Sequence, residues 1–394
     1  MERINLFSPE MRADPYPGYA EMRRSSPVCK VDPIDCWAVT RYEDAVHVLK
    51  DNDLFSAAGI ARMIQNPSVG HNPITDSMAV KDPPAHTKLR ALVSRAFSSA
   101  IIFRIEPIAR ASAAEGAELL RAGDFVDFYT TFSVPVVASV IANLLGLDPA
   151  LRDSFMRWSA DIVSINPAMQ PERIEAVSES VTTLKRYLTE VIDARREEPR
   201  GDLVSDLIAA QVDGQALTHD EIIGFLFLLL VAGLETTSHL LTNAVRILVS
   251  RRELHDRLRK DLTLIPAFVE EVLRFDPPVY ADIRLTTAEA QVGGATIPAG
   301  SLITVLLGSV NRDERLFEDP DTFNIDRRRQ AGFSFTYGIH TCLGAALARA
   351  EARVALEALC SLPGYFEEQP GEQEWAVSAT VRGLLRYPVR LVVA

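Results

Sequence analysis

Cysteine is scarce in this chain, with four in 394 residues (Cys29, Cys36, Cys342, Cys360) and no CxxC pair. That excludes a disulfide-stapled scaffold and suits a reducing, cytoplasmic setting. Basic charge is also short, 41 Lys and Arg against 53 Asp and Glu, a formal net charge of −12. A surface of that sign disfavours nucleic acid and anionic membranes as partners. The opening stretch MERINLFSPEMRADPYP lacks the apolar core of a signal peptide. The longest apolar run, residues 222–234, is shorter than the roughly 20 residues of a membrane span and implies a buried helix segment instead. Repeats, low-complexity tracts and Gly/Ser-rich linkers are missing, which favours a single domain over residues 1–394. HExxH, P-loop, GxGxxG and GxSxG motifs are absent, and the seven histidines fall into no metal-ligand spacing.

What is present is a chain 47% hydrophobic, enough for a large core, in which helical periodicity dominates. It predicts helices over residues 110–121, 171–196, 218–250, 266–275 and 345–360. Strand-like segments are short: residues 28–31, 37–40, 284–287, 295–297, 302–306 and 389–393. The fold class is therefore mainly α with a small discontinuous β-sheet (α+β). Thr218 with Glu221 forms a capping box at the start of the longest helix, which would span roughly 45 Å. Its segment 222–234 is apolar on every side and should cross the interior. Residues 56–84 and 311–341 look irregular, and loops this long inside a compact domain usually serve a ligand or cofactor.

The second of these loops carries Phe335-Thr-Tyr-Gly338-Ile-His340-Thr-Cys342-Leu-Gly344, followed by a helical run. A cysteine just before a helix start is stabilised as thiolate by backbone N–H groups and the macrodipole. Gly338 and Gly344 let the backbone turn closely around the sulfur. A lone cysteine there is ordinarily a small buried hydrophobe; the framing residues reverse that reading. Phe335, Gly338, His340, Cys342 and Gly344 resemble the haem-binding signature FxxGxxxCxG of the cytochrome P450 family. The resemblance implies haem b lying between the long central helix and the cysteine-loop helix, with Cys342 as axial ligand. A thiolate donor pushes electron density onto iron and favours O–O cleavage.

Further matches follow in the family's order. Glu271-Val-Leu-Arg274 is similar to the ExxR pair, whose spacing puts both side chains on one helix face. On the residues alone, an exposed ion pair is the ordinary outcome, and Glu270 with Arg274 would do equally well. Ala232-Gly233-Leu234-Glu235-Thr236-Thr237 resembles the oxygen-binding motif [A/G]Gx[D/E]T[T/S]. By resemblance, Ala232 and Gly233 line a local groove for dioxygen, Thr236 presents a hydroxyl to it, and Glu235 relays protons. His86-Thr-Lys-Leu-Arg90 resembles a haem-propionate face, and Arg284 and His340 match two further propionate contacts, since Arg pairs carboxylates bidentately. A solvated helix face is the plain alternative for His86 and Arg90. The likeness extends from Asp14-Pro-Tyr-Pro to Arg382-Gly-Leu. One departure stands out: Thr322 occupies the place of an arginine that many members carry beside the Glu–Arg pair, so that either the triad is incomplete or a nearby arginine such as Arg327 substitutes.

The function so implied is a soluble bacterial haem-thiolate monooxygenase. It would insert one oxygen atom of O2 into a C–H bond, by hydroxylation or epoxidation, of a hydrophobic terpenoid, steroid or polyketide. Pocket walls would come from residues 60–80, 162–169, 227–232, 279–283 and 377–381. With no flavin or nicotinamide motif in the chain, electrons would come from a ferredoxin and its NAD(P)H-dependent reductase. Candidate docking cations are Lys88, Arg95, Arg104, Arg327, Arg328, Arg329, Arg349 and Arg353. A peroxygenase driven by H2O2 is the rival enzymatic reading, disfavoured by Glu235-Thr236. A non-catalytic haem or lipophile carrier is the rival from another class, disfavoured by Cys342 and Thr236 together.

Overall fold

The computed structural model describes residues 3–97, 100–167, 169–328 and 332–393. The chain is mainly helical with small separate sheets, as the periodicity predicts. It forms two interleaved compact units: Met1–Phe55, Ala109–Val136 and Thr236–Ala394 in the first, Ser56–Ile108 and Val137–Glu235 in the second.

In the first unit, Val28–Val31 pairs antiparallel with Cys36–Val39. Cys36–Val39 pairs parallel with Leu302–Val305, which pairs antiparallel with Asp282–Thr286. Strand side chains alternate between faces, so Cys36 and Ala38 join Tyr19, Met22 and Leu306 on one side. Val39, Ile303 and Val305 join Val48, Leu49 and Phe333 on the other. Burial on both faces makes this small sheet a rigid floor. A second sheet joins Tyr365–Glu368, Pro388–Val392 and Val126–Asp127. Helices Ile265–Phe275 and Ala345–Cys360 pack together, the first started by Pro266 in its opening turn and burying Phe268, Val269, Glu271, Val272 and Arg274.

In the second unit, helix Pro171–Glu197 buries Val177, Val181, Leu184, Leu188 and Ile192, a spacing of three and four that keeps one face inward. It lies against Arg152–Val163 and Leu203–Ala209. A buried Arg195–Asp202 pair holds its far end, where Arg195 Nη2 also donates to the Gly146 carbonyl at 2.9 Å.

The long helix His219–Ser250 has the expected capping box: Glu221 N donates to Thr218 Oγ1 at 3.2 Å and Thr218 N to Glu221 Oε2 at 2.7 Å. It is long and apolar enough to cross a membrane, yet 61% of its most apolar window is buried. Three expectations need correction. The helix foreseen at residues 110–121 is Ala100–Leu120, beginning ten residues earlier and running through Pro107. The loop at residues 56–84 contains a helix, Ala58–Met63, and two single turns at Pro73–Asp76 and Met78–Val80. Finally, the segment 222–234 is not buried on every side: Leu228, Leu229 and Val231 are half-buried and Ala232 is exposed, between buried Leu230 and Leu234.

Candidate functional site: a cysteine loop and its anchors

Burial sorts the four cysteines. Cys36 and Cys360 are buried, which pushes their thiols up to about 12, and half-buried Cys29 is raised for the same reason. Cys342 alone is exposed. It stands three residues before the first residue of helix Ala345–Cys360, with Gly344 at the cap position, where backbone N–H groups favour a thiolate. Its own N–H donates to the Phe335 carbonyl at 3.0 Å, closing the loop. Inside that loop Gly338 opens a single helical turn, Gly338–His340, at φ +77°. A Cβ there would lie 2.6 Å from the Leu49 carbonyl oxygen, so glycine is required twice over. His340 is half-buried at the end of that turn, and Phe335 lies beneath the Arg349 guanidinium, 4.4 Å from its ring centre.

Arg284 lies on the strand Asp282–Thr286 and is 1% exposed. Its Nη1 donates to Asp282 Oδ1 at 2.5 Å and to the Ile283 carbonyl at 2.8 Å. Its Nε and Nη2 are buried and meet no acceptor among the described residues. Buried guanidinium donors without an acceptor are costly, and two such N–H directions match a carboxylate of a bound group. Asp282 ties this arginine to the cysteine loop, because its other oxygen accepts from Thr336 Oγ1 at 2.5 Å. Sequence reading missed Asp282; two residues from Arg284 on a strand, it shares that face, a signal period-two counting could have used.

Glu271 and Arg274 are 5% exposed and joined by two hydrogen bonds, Nε to Oε2 at 2.8 Å and Nη2 to Oε1 at 2.7 Å. Arg274 also donates to the carbonyls of Asn311, Pro320 and Thr322. Glu270 does not pair with Arg274; it takes Arg349 instead, at 2.5 Å. Arg327 turns inward, with Nε 3.5 Å from Glu271 Oε1. The helix ends at Asp276, fully buried and missed by sequence reading, where Tyr16, Arg246 and Arg382 converge on one carboxylate. His239, three residues after Thr236, is buried and stacked on Tyr129 at 5.0 Å.

In the second unit, His86 is 3% exposed, so a solvated face is excluded for it. Burial, then the Arg90 charge one turn on, lowers its pKa from the ordinary imidazole value. Arg90 is half-buried. At Gly233 the Cβ position is taken up by Ile141 Cδ1, 2.8 Å away. The glycine therefore allows close packing on that side of the helix. Glu235, like Thr236 next along the helix, is half-buried.

Among the docking cations, Arg353 pairs with Glu357, Arg104 with Asp206, and Lys88 with Glu221. Arg95 and Arg328 are exposed; Arg327 faces inward, and Arg329 lies outside the described residues.

An exposed cysteine at a helix start, tied through Asp282 to a buried arginine with donors to spare, fits an anionic cofactor whose metal takes a sulfur ligand. Comparison with known proteins agrees. The cytochrome P450 family profile matches residues 153–362. Cytochrome P450 109 of Bacillus spizizenii is 37% identical over 396 residues, covering 98% of this chain and 94% of that protein. The structure of CYP109Q5 from Chondromyces apiculatus is 38% identical, with a TM-score of 0.90 over 100% of this chain and 99% of that one. CYP109E1 from Bacillus megaterium, solved with corticosterone, is 32% identical with a TM-score of 0.86 over 97% of this chain and 99% of that one. The chain belongs to the cytochrome P450 family of haem-iron monooxygenases.

Proposed function

We propose that this cytochrome P450 binds haem b through Cys342 and inserts one atom of O2 into a C–H bond of a hydrophobic natural product of terpenoid, steroid or polyketide type. Electrons would come from a ferredoxin and its NAD(P)H-dependent reductase, in a bacterial cytoplasm. The observation that carries the reading is the cysteine loop, with Cys342 exposed and Arg284 keeping two buried donors available.

When bound, the haem supplies dioxygen activation. The chain's own residues do the rest. Cys342 is held as thiolate by the helix start and donates to the metal. Arg284, with His340, His86 and Arg90, takes the propionate oxygens. The Arg284 charge is already half-met by Asp282, which leaves it fixed in direction before the cofactor arrives. Phe335, Gly338 and Gly344 would shape the loop that holds the cofactor. Glu235 passes protons inward and Thr236 holds the hydroxyl that orients them. Ala232, exposed in mid-helix, opens the apolar wall where a substrate would lie. Support for the substrate class comes from relatives: one solved with corticosterone, others named vitamin D(3) 25-hydroxylase and 6-deoxyerythronolide B hydroxylase.

The test is spectral and catalytic. Reduced protein under carbon monoxide should give the red-shifted band of sulfur ligation, and Cys342→Ala should abolish it. With ferredoxin, reductase and an apolar ligand that shifts the haem spectrum, turnover should consume O2. Thr236→Ala should divert most of that oxygen to peroxide. A reduced carbon monoxide complex without the red-shifted band sinks the reading; turnover with peroxide alone would replace it with a peroxygenase.

A further inference from the structure

A monooxygenase must admit a bulky apolar substrate and a small gas, and a substrate that fills the main pocket stands in the way of the gas. We propose that the second unit carries a separate route for dioxygen. It runs from an open groove at residues 146–148, past the Leu147 side chain, into a small apolar chamber against the long helix. The inference rests on the monooxygenase reading above, which makes dioxygen the gas to be admitted.

The groove, of about 420 Å3, lies between the Gly146–Asp148 turn and the C-terminal part of helix Pro171–Glu197, where Tyr187, Val191 and Ala194 line it. A second space offers about 10 Å3 to the centre of a water-sized molecule, the scale at which one small molecule fits. Helix Val134–Leu144 supplies Ala138, Ile141 and Ala142 to it, and the long helix supplies Leu230 and Leu234. Phe155 and Leu147 complete the lining, so every side chain around this chamber is apolar. Water needs two to four polar partners to stay in such a space, whereas a nonpolar gas needs none. Leu147 is a wall of both groove and chamber, and it is only 5% exposed.

The backbone around Leu147 is pinned on both sides. Leu147 N donates to the Ala142 carbonyl at 2.9 Å, and Gly146 N to the Asn143 carbonyl at 3.0 Å. The Gly146 carbonyl accepts from Arg195 Nη2 at 2.9 Å, and Asp148 N donates to the Tyr187 hydroxyl at 3.2 Å. Passage is therefore left to rotation of the Leu147 side chain, a motion faster than enzymatic turnover. At the inner end, Leu230 and Leu234 are four residues apart and share one helix face. Gly233 beside them lets Ile141 close in, since a Cβ there would lie 2.8 Å from its Cδ1. The chamber thus ends against the Ala232–Glu235 segment, the part of the helix that resembles the family's oxygen-binding motif.

Xenon is the probe, a nonpolar atom that occupies dry apolar cavities. Crystals of the haem-loaded full chain under xenon pressure should show a peak among Ile141, Phe155 and Leu234. Ala138→Leu fills the chamber and should lose that peak. Laser photolysis of the reduced carbon monoxide complex supplies a second readout. Gas lodged in the chamber should rebind in a late phase of its own, before any gas returns from solvent. Xenon should suppress that phase in the wild type, and Ala138→Leu should lack it. Leu147→Ala should widen the way out and shift the late phase toward rebinding from solvent, with the red-shifted band unchanged. An empty chamber under xenon would overturn the proposal. So would a xenon peak accompanied by rebinding that neither xenon nor Ala138→Leu alters, since the chamber would then be a dead end. Should Ala138→Leu not accumulate folded, Leu147→Ala decides: an unchanged division between internal and solvent rebinding is contrary. Wild-type protein without the red-shifted band would sink the haem-thiolate reading instead and leave the xenon peak in place.

Discussion

Asp276 offers a quantitative test of how this core is held. It is fully buried, and its Oδ1 accepts from Tyr16 and from Arg382 at 2.7 Å each, while Oδ2 accepts from Arg246. Burial pushes the carboxyl up, but Arg382 and Arg246 together outweigh it and bring it down from 3.8 to about 2. A displacement of that size is worth about 2 kcal/mol. Because the folded value lies below the unfolded one, this stabilisation is complete above about pH 4 and is lost as the pH falls through about 2. Asp276→Asn keeps the shape and removes the charge. Arg382, 6% exposed on its side chain, and Arg246 would then face each other without an anion. Removing one member of a buried pair costs roughly 3–5 kcal/mol. Urea unfolding at pH 7, followed by circular dichroism, should show that loss. The double variant Asp276→Asn with Arg382→Met should recover part of it, and the gap to wild type should narrow toward pH 2. A single variant within about 1 kcal/mol of wild type at neutral pH would refute the reasoning, because the arginines would then need no counter-charge.

Two further outcomes follow from the cysteine side. Glu351, 2% exposed on the helix after Cys342, has its carboxyl pushed by burial up to about 8. Its folded value lies above the unfolded one, so the native state loses stability as pH rises from 4.5 through about 8. Glu351→Gln should therefore gain thermal stability over wild type progressively across that range; a difference independent of pH would contradict it. Gly338→Ala places a Cβ against the Leu49 carbonyl at positive φ, at a cost of roughly 1–3 kcal/mol. A lowered melting temperature with poorer haem incorporation is expected, and unchanged melting would count against the strain.

The sequence carried the elements with strong periodicity. Helix Ala345–Cys360 and strands Val28–Val31 and Ala295–Ile297 lie where the pattern predicts them, because apolar spacing there is undisturbed. The first ten residues of helix Ala100–Leu120 were missed; they include Pro107, a residue that breaks helices only on average. The long helix lies where the pattern puts it, His219–Ser250; only its expected all-round burial was not met, because apolar spacing does not show which face a neighbour covers. Local spacing also showed that Glu271 and Arg274 share a face. It could not show which of Glu270 and Glu271 turns inward, nor that Arg327 would join them, because both depend on contacts across some fifty residues. Asp276 illustrates the same limit: its partners lie at positions 16, 246 and 382, and no window of sequence contains them.

The guanidiniums of Arg274 and Arg327 hold peptide oxygens, not side chains, along residues 311–322. A clamp of that kind is indifferent to what the clamped residues are. Exposed Glu318 is thereby free to drift without loosening the clamp, whereas Asp321 pairs with Arg312 at 3.1 Å and Asp319 sits at φ +45°. Surface charge along this stretch can thus change where a side chain is unengaged, and is fixed where, as at Asp321, it is engaged.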